Sequence, residues 1–423
     1  MINKKVLMIG WELPPFYAGG VGMVCYDILK EFDKKNVKIN YLMPFTPKDF
    51  QSKFNEYIID ATEKCEIISE NITIRNVKTL IRPYETVDTY SNSSYVKNFV
   101  LKSFKNSKVL YGDNLYEEVD FFGKRAYNIA DKIDCDIVYS HDWMTVPAAI
   151  AISQKKKVPF VFHIHNTVYD RGHNGNFSQV ERDIEKMAFE NASKIISISE
   201  FTKNNVIKYY GVDPDKIQVI HNAPPTLLEE KKKEMDFSEH KDKFHPNRVV
   251  LFTGRLTFQK GIDKFIYAAK KVSEVLDDVL FIIAGGGHLF EELIELTNNI
   301  GIGDKVLFTG TYNMYQGNIL YQNADVYVMP SVSEPFGIVP FEAIGHSTPT
   351  IISKTSGCSE VLHNCLKVDY HDVDKIADYI VNVLEHPELA GEMVLNSHRD
   401  INKLSWSKSV DDIMKVFNEV LNK

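Results

Sequence analysis

The sequence predicts an α/β protein built from two doubly wound domains that face each other across a cleft. Three observations carry this reading. Strand-like and helix-like runs alternate from end to end, the pattern of parallel sheets covered by helices. At 423 residues the chain exceeds a usual single core. A charged stretch at residues 229–242 (EEKKKEMDFSEHKD) separates two such alternating halves. We therefore divide the chain into domains at 1–228 and 245–404, and expect the helical segment 405–423 to pack back on the first domain. Sheets of this kind bind ligands at the carboxyl ends of their strands.

In the first half, strands fit residues 4–11, 37–43, 136–140, 158–164, 194–198 and 217–221. Helices fit about 20–34, 114–132, 143–154 and 178–191. Residues 45–112, rich in Asn, Ser, Lys and Tyr, read as an excursion from the core, and long excursions are often functional. The pattern restarts at Arg248-Val249-Val250-Leu251-Phe252-Thr253-Gly254, with further strands at 279–284, 305–309, 324–329 and 349–353 and helices between. In the last segment Val410, Ile413, Met414, Phe417, Val420 and Leu421 fall on one apolar helical stripe.

Composition excludes several classes. The 44% hydrophobic and 25% charged residues are ordinary for a globular protein in water. A net charge of −8 argues against nucleic-acid binding, which usually shows a basic face. Five cysteines without a C-x-x-C pair point to a reducing, cytoplasmic setting. The apolar start Val6-Leu7-Met8-Ile9-Gly10 is too short for a signal peptide and reads as a first strand. No apolar run approaches the roughly 20 residues that cross a bilayer, so no transmembrane segment is expected.

The most informative motif is Ser333-Glu334-Pro335-Phe336-Gly337-Ile338-Val339-Pro340-Phe341-Glu342. It follows a buried strand-like run ending at Pro330, and Pro340 suits the first turn of a helix. The backbone N–H groups of Phe336, Gly337, Ile338 and Val339 would then face an anion. Glu334 and Glu342 would flank it, and carboxylates beside a phosphate make sense as ligands of hydroxyls on a sugar or ribose. The signature is that of a nucleotide-sugar site.

Gly254-Arg255-Leu256-Thr257-Phe258-Gln259-Lys260-Gly261 places two cations five positions apart at a strand's carboxyl end. The planar fork of Arg255 and the compact ammonium of Lys260 both suit a diphosphate, and would neutralise charge gathering on a departing phosphate. In the first domain, Gly19 and Gly20 lie in a loop between strand and helix and allow close backbone approach to a ligand. His141 ends one strand, where it is expected to face the cleft, with Asp142 a candidate cap for the next helix. His163, His165 and Asn166 end another strand. The two histidines share a face and invite a metal reading, but no third ligand is evident. Three D-x-D matches, at 134–136, 213–215 and 372–374, are explained by turns and caps. No bound metal and no cofactor are expected.

These motifs together resemble a retaining glycosyltransferase of the GT-B fold, of the family 4 and family 5 kind, in which two Rossmann-like domains face across a cleft. The resemblance runs almost end to end. It rests on the E-x7-E pair Glu334 and Glu342, the Gly-Arg-Leu…Gln-Lys-Gly run, Ala284-Gly285-Gly286-Gly287, and Ser356-Gly357-Cys358-Ser359-Glu360-Val361. It implies that Arg255 and Lys260 hold the donor diphosphate, that Glu334 lies by the transferred sugar, and that Glu342 binds the ribose. Gly19 and Gly20 would approach the donor, and the base would rest near Gly310-Thr311-Tyr312. Gly10-Trp11-Glu12-Leu13-Pro14-Pro15, His141-Asp142-Trp143 and His165-Asn166-Thr167 resemble glycogen and starch synthases, in which His141 would contact donor glucose. One departure is the first loop, Tyr17-Ala18-Gly19-Gly20, where bacterial glycogen synthases usually have Lys-x-Gly-Gly.

The resemblance implies transfer of glucose from UDP- or ADP-glucose to an α-1,4-glucan with retention. Rival acceptors are a lipid, a cell-wall sugar or a small sugar, and an epimerase is a further alternative on the same fold. No carboxylate is placed as a nucleophile, so a front-face path fits better than the paired acids of a retaining glycosidase.

Overall fold

The computed structural model describes residues 4–14, 20–44, 66–67, 72–76, 115–172, 176–225 and 248–422. The interdomain stretch 229–242 and Gly19 lie outside them.

The first body runs β1 (Lys5–Ile9), α1 (Gly20–Lys34), β2 (Lys38–Met43), β3 (Glu66–Ile67), β4 (Ile72–Asn76), α2 (Leu115–Ile129), β5 (Ile137–His141), α3 (Val146–Lys156), β6 (Phe160–Ile164), α4 (Val168–Arg171), α5 (Gln179–Asn191), β7 (Lys194–Ser197), α6 (Glu200–Tyr210) and β8 (Ile217–Val219). Its eight strands are ordered β3-β4-β2-β1-β5-β6-β7-β8, parallel except for the β3–β4 pair. The strand residues 6–9, 137–141 and 160–164 are buried on both faces, as parallel strands between helix layers require.

The second body runs β9 (Arg248–Thr253), α7 (Ile262–Ser273), β10 (Val279–Ala284), α8 (Phe290–Asn299), β11 (Val306–Gly310), α9 (Met314–Gln322), β12 (Val326–Met329), α10 (Val339–Gly345), β13 (Thr350–Ser353), β14 (Leu366–Val368), α11 (Val373–Glu385), α12 (Pro387–Ile401) and α13 (Trp406–Leu421). Six parallel strands are ordered β11-β10-β9-β12-β13-β14. This is the two-domain, Rossmann-like GT-B architecture.

The last helix leaves the second sheet and packs on the first. Phe417 stacks on Phe32 of α1 at 6.1 Å between ring centres, and Trp406 donates its indole N–H to the Pro224 carbonyl at 2.9 Å. Ser405 caps the helix by accepting from Lys408 N.

Three readings change. Residues 45–112 are not wholly an excursion, because 72–76 form β4, parallel to β2, with 66–67 antiparallel beside it. Helix α6, unassigned from sequence, is bounded by Ser199, whose side chain accepts from Thr202 N, and by left-handed Gly211. Asp142 caps no helix; its carboxylate instead accepts from His165 N at 2.7 Å and Asn166 N at 3.4 Å.

Candidate donor site in the interdomain cleft

The carboxyl ends of both sheets meet at a cavity of about 320 Å³. Gly20, His165, Asn166 and Asn222 line it from the first body. Arg255, Lys260, Tyr312, Glu334 and the run 335–339 line it from the second. A second cavity of about 290 Å³ adjoins it through Arg255 and Gln259 and is walled by Trp143, Phe177, Phe258 and the Arg171–Glu181 pair.

Glycines set the floor. Gly261 has φ +63°, and a Cβ there would stand 2.2 Å from the Pro330 carbonyl oxygen. Gly285, φ +146°, carries its Cα so close to Gly254 that a Cβ would lie 1.8 Å from that residue's oxygen. Only glycine fits such positions, which lets the turns after β9 and β10 interlock and aims Arg255 and Lys260 into the cleft.

Lys260 Nζ pairs with Glu334 Oε2 at 2.5 Å, and the Ser331 hydroxyl donates to the same oxygen at 3.2 Å. Glu334 is itself held by its backbone, donating to Thr355 O at 3.0 Å and accepting from Gly357 N at 2.8 Å. An ammonium has three protons, so Lys260 can hold Glu334 and a phosphate oxygen together.

Phe336, Gly337, Ile338 and Val339 line the cavity as the motif implies. The helix behind them, α10, is only seven residues long, so its dipole is a minor contribution beside the individual amides. Gly20 faces them across the cleft: a Cβ there would touch Ile338 Cδ1 at 3.2 Å. Tyr312 lies at the edge expected for a base. Glu342 does not line the cavity. Tyr321 donates its hydroxyl to Glu342 at 2.7 Å, and burial pushes the Glu342 carboxyl up to about 7.

The histidines are arranged differently from the expectation. His141 is 1% exposed and lies behind His165, with His141 Nδ1 and His165 Nε2 sharing a hydrogen bond at 2.9 Å; it is His165 that reaches the cavity. Parallel pairing of β5 with β6 sets His141 opposite His163, so a third histidine does join the pair seen in sequence. The three offer ring nitrogens all within 4.8 Å of one another. Tyr139 shares a 2.6 Å hydrogen bond with His163 Nδ1, and the Nε2 atoms of His141 and His163 have no partner among the described residues. Burial and the neighbouring rings hold His141 and His163 well below the usual imidazole range; burial alone takes His165 down to about 3. All three are neutral at physiological pH.

Sequence reasoning missed the groups that hold Asn166. Arg171 donates to the Asn166 side chain, to Glu181 at 2.6 Å and to fully buried Glu185 at 2.8 Å. It also gave no role to Glu12, buried, which accepts from Gly22 N at 3.0 Å and ties the segment after β1 to α1. No spacing signal marks either; the contacts join α4 to α5 and the segment after β1 to α1.

Comparison with known proteins agrees with this fold. The family "Glycosyl transferases group 1" matches residues 231–400, and "Glycosyltransferase Family 4" matches residues 106–226. An uncharacterised glycosyltransferase of Methanocaldococcus jannaschii is 26% identical over 98% of this chain and 97% of its own. A glycogen synthase of Kosmotoga olearia is 23% identical over 99% of this chain and 98% of its own. Among solved structures, sucrose-phosphate synthase from Thermosynechococcus elongatus superposes with a TM-score of 0.71 at 16% identity, covering 99% of this chain and 100% of that one. Anabaena HepE, solved with UDP and glucose, gives 0.67 at 17% over 99% and 100%. The two sheets and the superpositions give the chain the GT-B fold, and the two matched models cover its halves with glycosyltransferase domains, which supports a GT-B glycosyltransferase of the family 4/family 5 type.

Proposed function

We propose that this protein transfers glucose from UDP- or ADP-glucose to the non-reducing end of an α-1,4-glucan, with retention at the anomeric carbon. The observation that carries the donor half is the convergence of Arg255, Lys260, Glu334 and the 336–339 segment on one cavity that Gly20 closes from the opposite domain. Two cations neutralise a diphosphate, and a carboxylate beside them accepts from sugar hydroxyls. The adjoining cavity, with aromatic walls and a paired arginine and glutamate, offers the apolar faces and polar edges that a glucose unit of the acceptor needs.

Retention fits the absence, among the described residues lining the cavity, of a second carboxylate beside Glu334. In the proposed path the leaving phosphate oxygen takes the proton of the acceptor hydroxyl as the new glycosidic bond forms on the same face. The protein contributes position and charge. Arg255 and Lys260 stabilise the departing diphosphate, and Glu334 orients the sugar. Glu342 would bind the ribose only after its Tyr321 hydrogen bond is shared or exchanged. The donor is bound as substrate and no cofactor is invoked.

A small-sugar acceptor is the second reading, favoured by the fold likeness to sucrose-phosphate synthase. One experiment separates the two. The protein is incubated with labelled UDP-glucose or ADP-glucose and with glycogen, maltohexaose, a panel of monosaccharides and their phosphates, or no acceptor. Label in polymer, with free nucleotide released in proportion, is expected; label only in a disaccharide selects the second reading. No transfer from either donor contradicts both.

A further inference from the structure

The donor segment is held from the opposite domain. Ser199 Oγ lies 2.6 Å from the Pro335 carbonyl oxygen, and Thr202 Oγ1 donates to the same oxygen at 3.3 Å. Both hydroxyls are buried at the start of α6, in the first body, whereas Pro335 belongs to the second. The contact is close-packed: a Cβ on Gly357 would stand 2.1 Å from the Pro335 oxygen and 2.6 Å from Ser199 Cβ. Beside it, Glu360 accepts from Glu200 N at 2.9 Å, Phe201 N at 2.8 Å and His221 Nε2 at 2.7 Å. Glu360 thus occupies the free amides of the α6 N-terminus and fixes that helix to the strip 355–358, on which the donor segment is itself hydrogen-bonded.

A peptide unit is planar and trans, so the Pro335 C=O and the Phe336 N–H point in opposite directions. Hydroxyls that grip the carbonyl from behind therefore decide where the amide aims. The Phe336 amide donates to none of the described residues, while its own carbonyl accepts from Cys358 N at 2.7 Å. Phe336 lines the donor cavity.

We infer that Ser199 and Thr202 are positioning residues for the donor: they orient the Pro335–Phe336 peptide so that its N–H presents to the donor's diphosphate oxygens. Glu360 and His221 hold the helix that carries them. The inference rests on the donor reading above, and it adds that part of the donor site is set by the domain that contributes no cation to it.

The test is calorimetric titration of the full chain with UDP and with ADP, following whichever binds. The Ser199→Ala/Thr202→Val double variant is expected to bind about tenfold more weakly, the size of a lost buried hydrogen bond. Thr202→Val alone, nearly isosteric, is expected to lose about threefold, and Thr202→Ser, which keeps the hydroxyl, to restore wild-type affinity. Asp372→Ala removes a side-chain helix cap, the acceptor for Lys375 N at the start of α11, a helix whose residues are not among those lining either cavity. It should lower the melting temperature by a similar amount and leave nucleotide affinity unchanged, which separates orientation from general destabilisation. Affinities of the double and Thr202→Val variants within twofold of wild type would overturn the inference while leaving the donor reading intact. A wild-type protein that binds neither nucleotide would remove the donor reading itself.

Discussion

Replacing Lys260 by alanine tests the charge logic of the cleft. In the wild type, Lys260 and Glu334 form a 2.5 Å pair whose side chains are 16% and 9% exposed. Removing the ammonium leaves Glu334 with the Ser331 hydroxyl at 3.2 Å as its side-chain hydrogen-bond donor. Breaking a fully buried pair costs about 3–5 kcal/mol. Residual access to water makes about 2 kcal/mol reasonable here, equivalent to roughly 4–8 °C in melting temperature for a domain of this size. The effect on turnover is separate: loss of one preorganised group facing a developing oxyanion costs about 10²-fold in kcat. Lys260→Met, which keeps the aliphatic stem, should match the alanine variant in turnover. Glucose transfer, measured as nucleotide release at saturating donor, reads the kinetic effect, and differential scanning calorimetry reads the other. Turnover within threefold of wild type for Lys260→Ala would refute the role of the ammonium at the leaving group, whatever the melting temperature does.

Glu334→Gln keeps the shape and the Ser331 contact, so UDP affinity should stay within about threefold while kcat falls at least about tenfold if the carboxylate serves the sugar; parallel titration and kinetics check this. For Glu342 the folded-state carboxyl is raised to about 7 from 4.5, so the folded chain binds the proton more tightly than the unfolded one. That contribution is fully present below pH 4.5, is lost as pH rises through about 7, and should make wild-type stability fall across this window. Glu342→Gln should flatten the slope in urea titrations from pH 5 to 8; an unchanged slope would mean that Glu342 is ionised throughout. Phe417→Ala, emptying the stack on Phe32, should cost about 3–5 kcal/mol in chemical denaturation.

The alternation of elements was legible because parallel strands buried on both faces are short apolar runs with clear edges. Strand 279–284 and helix 20–34 coincide with Val279–Ala284 and Gly20–Lys34. Helix α6 escaped because it buries only Thr202 and Val206 and so carries almost no apolar stripe, although Ser199 and Gly211 mark its ends. At the site, the loop cations and the glutamate motif were legible since their spacing lies within single strand–loop–helix units. The depth of His141 was not. Alternation gives the side of a strand a residue faces, whereas the β5–β6 register sets His141 opposite His163 and beneath His165, 24 positions away in the chain. The contacts of Ser199, Thr202 and Glu360 join positions more than 130 residues apart and leave no local pattern.

Donor transfer depends on where a nucleotide sugar sits in the cleft, and a crystal structure with UDP-glucose measures that directly. It should show the diphosphate against Arg255 and Lys260, the glucose beside Glu334, and the Phe336 amide donating to the donor. A donor bound elsewhere, or one whose diphosphate touches neither cation, would contradict it.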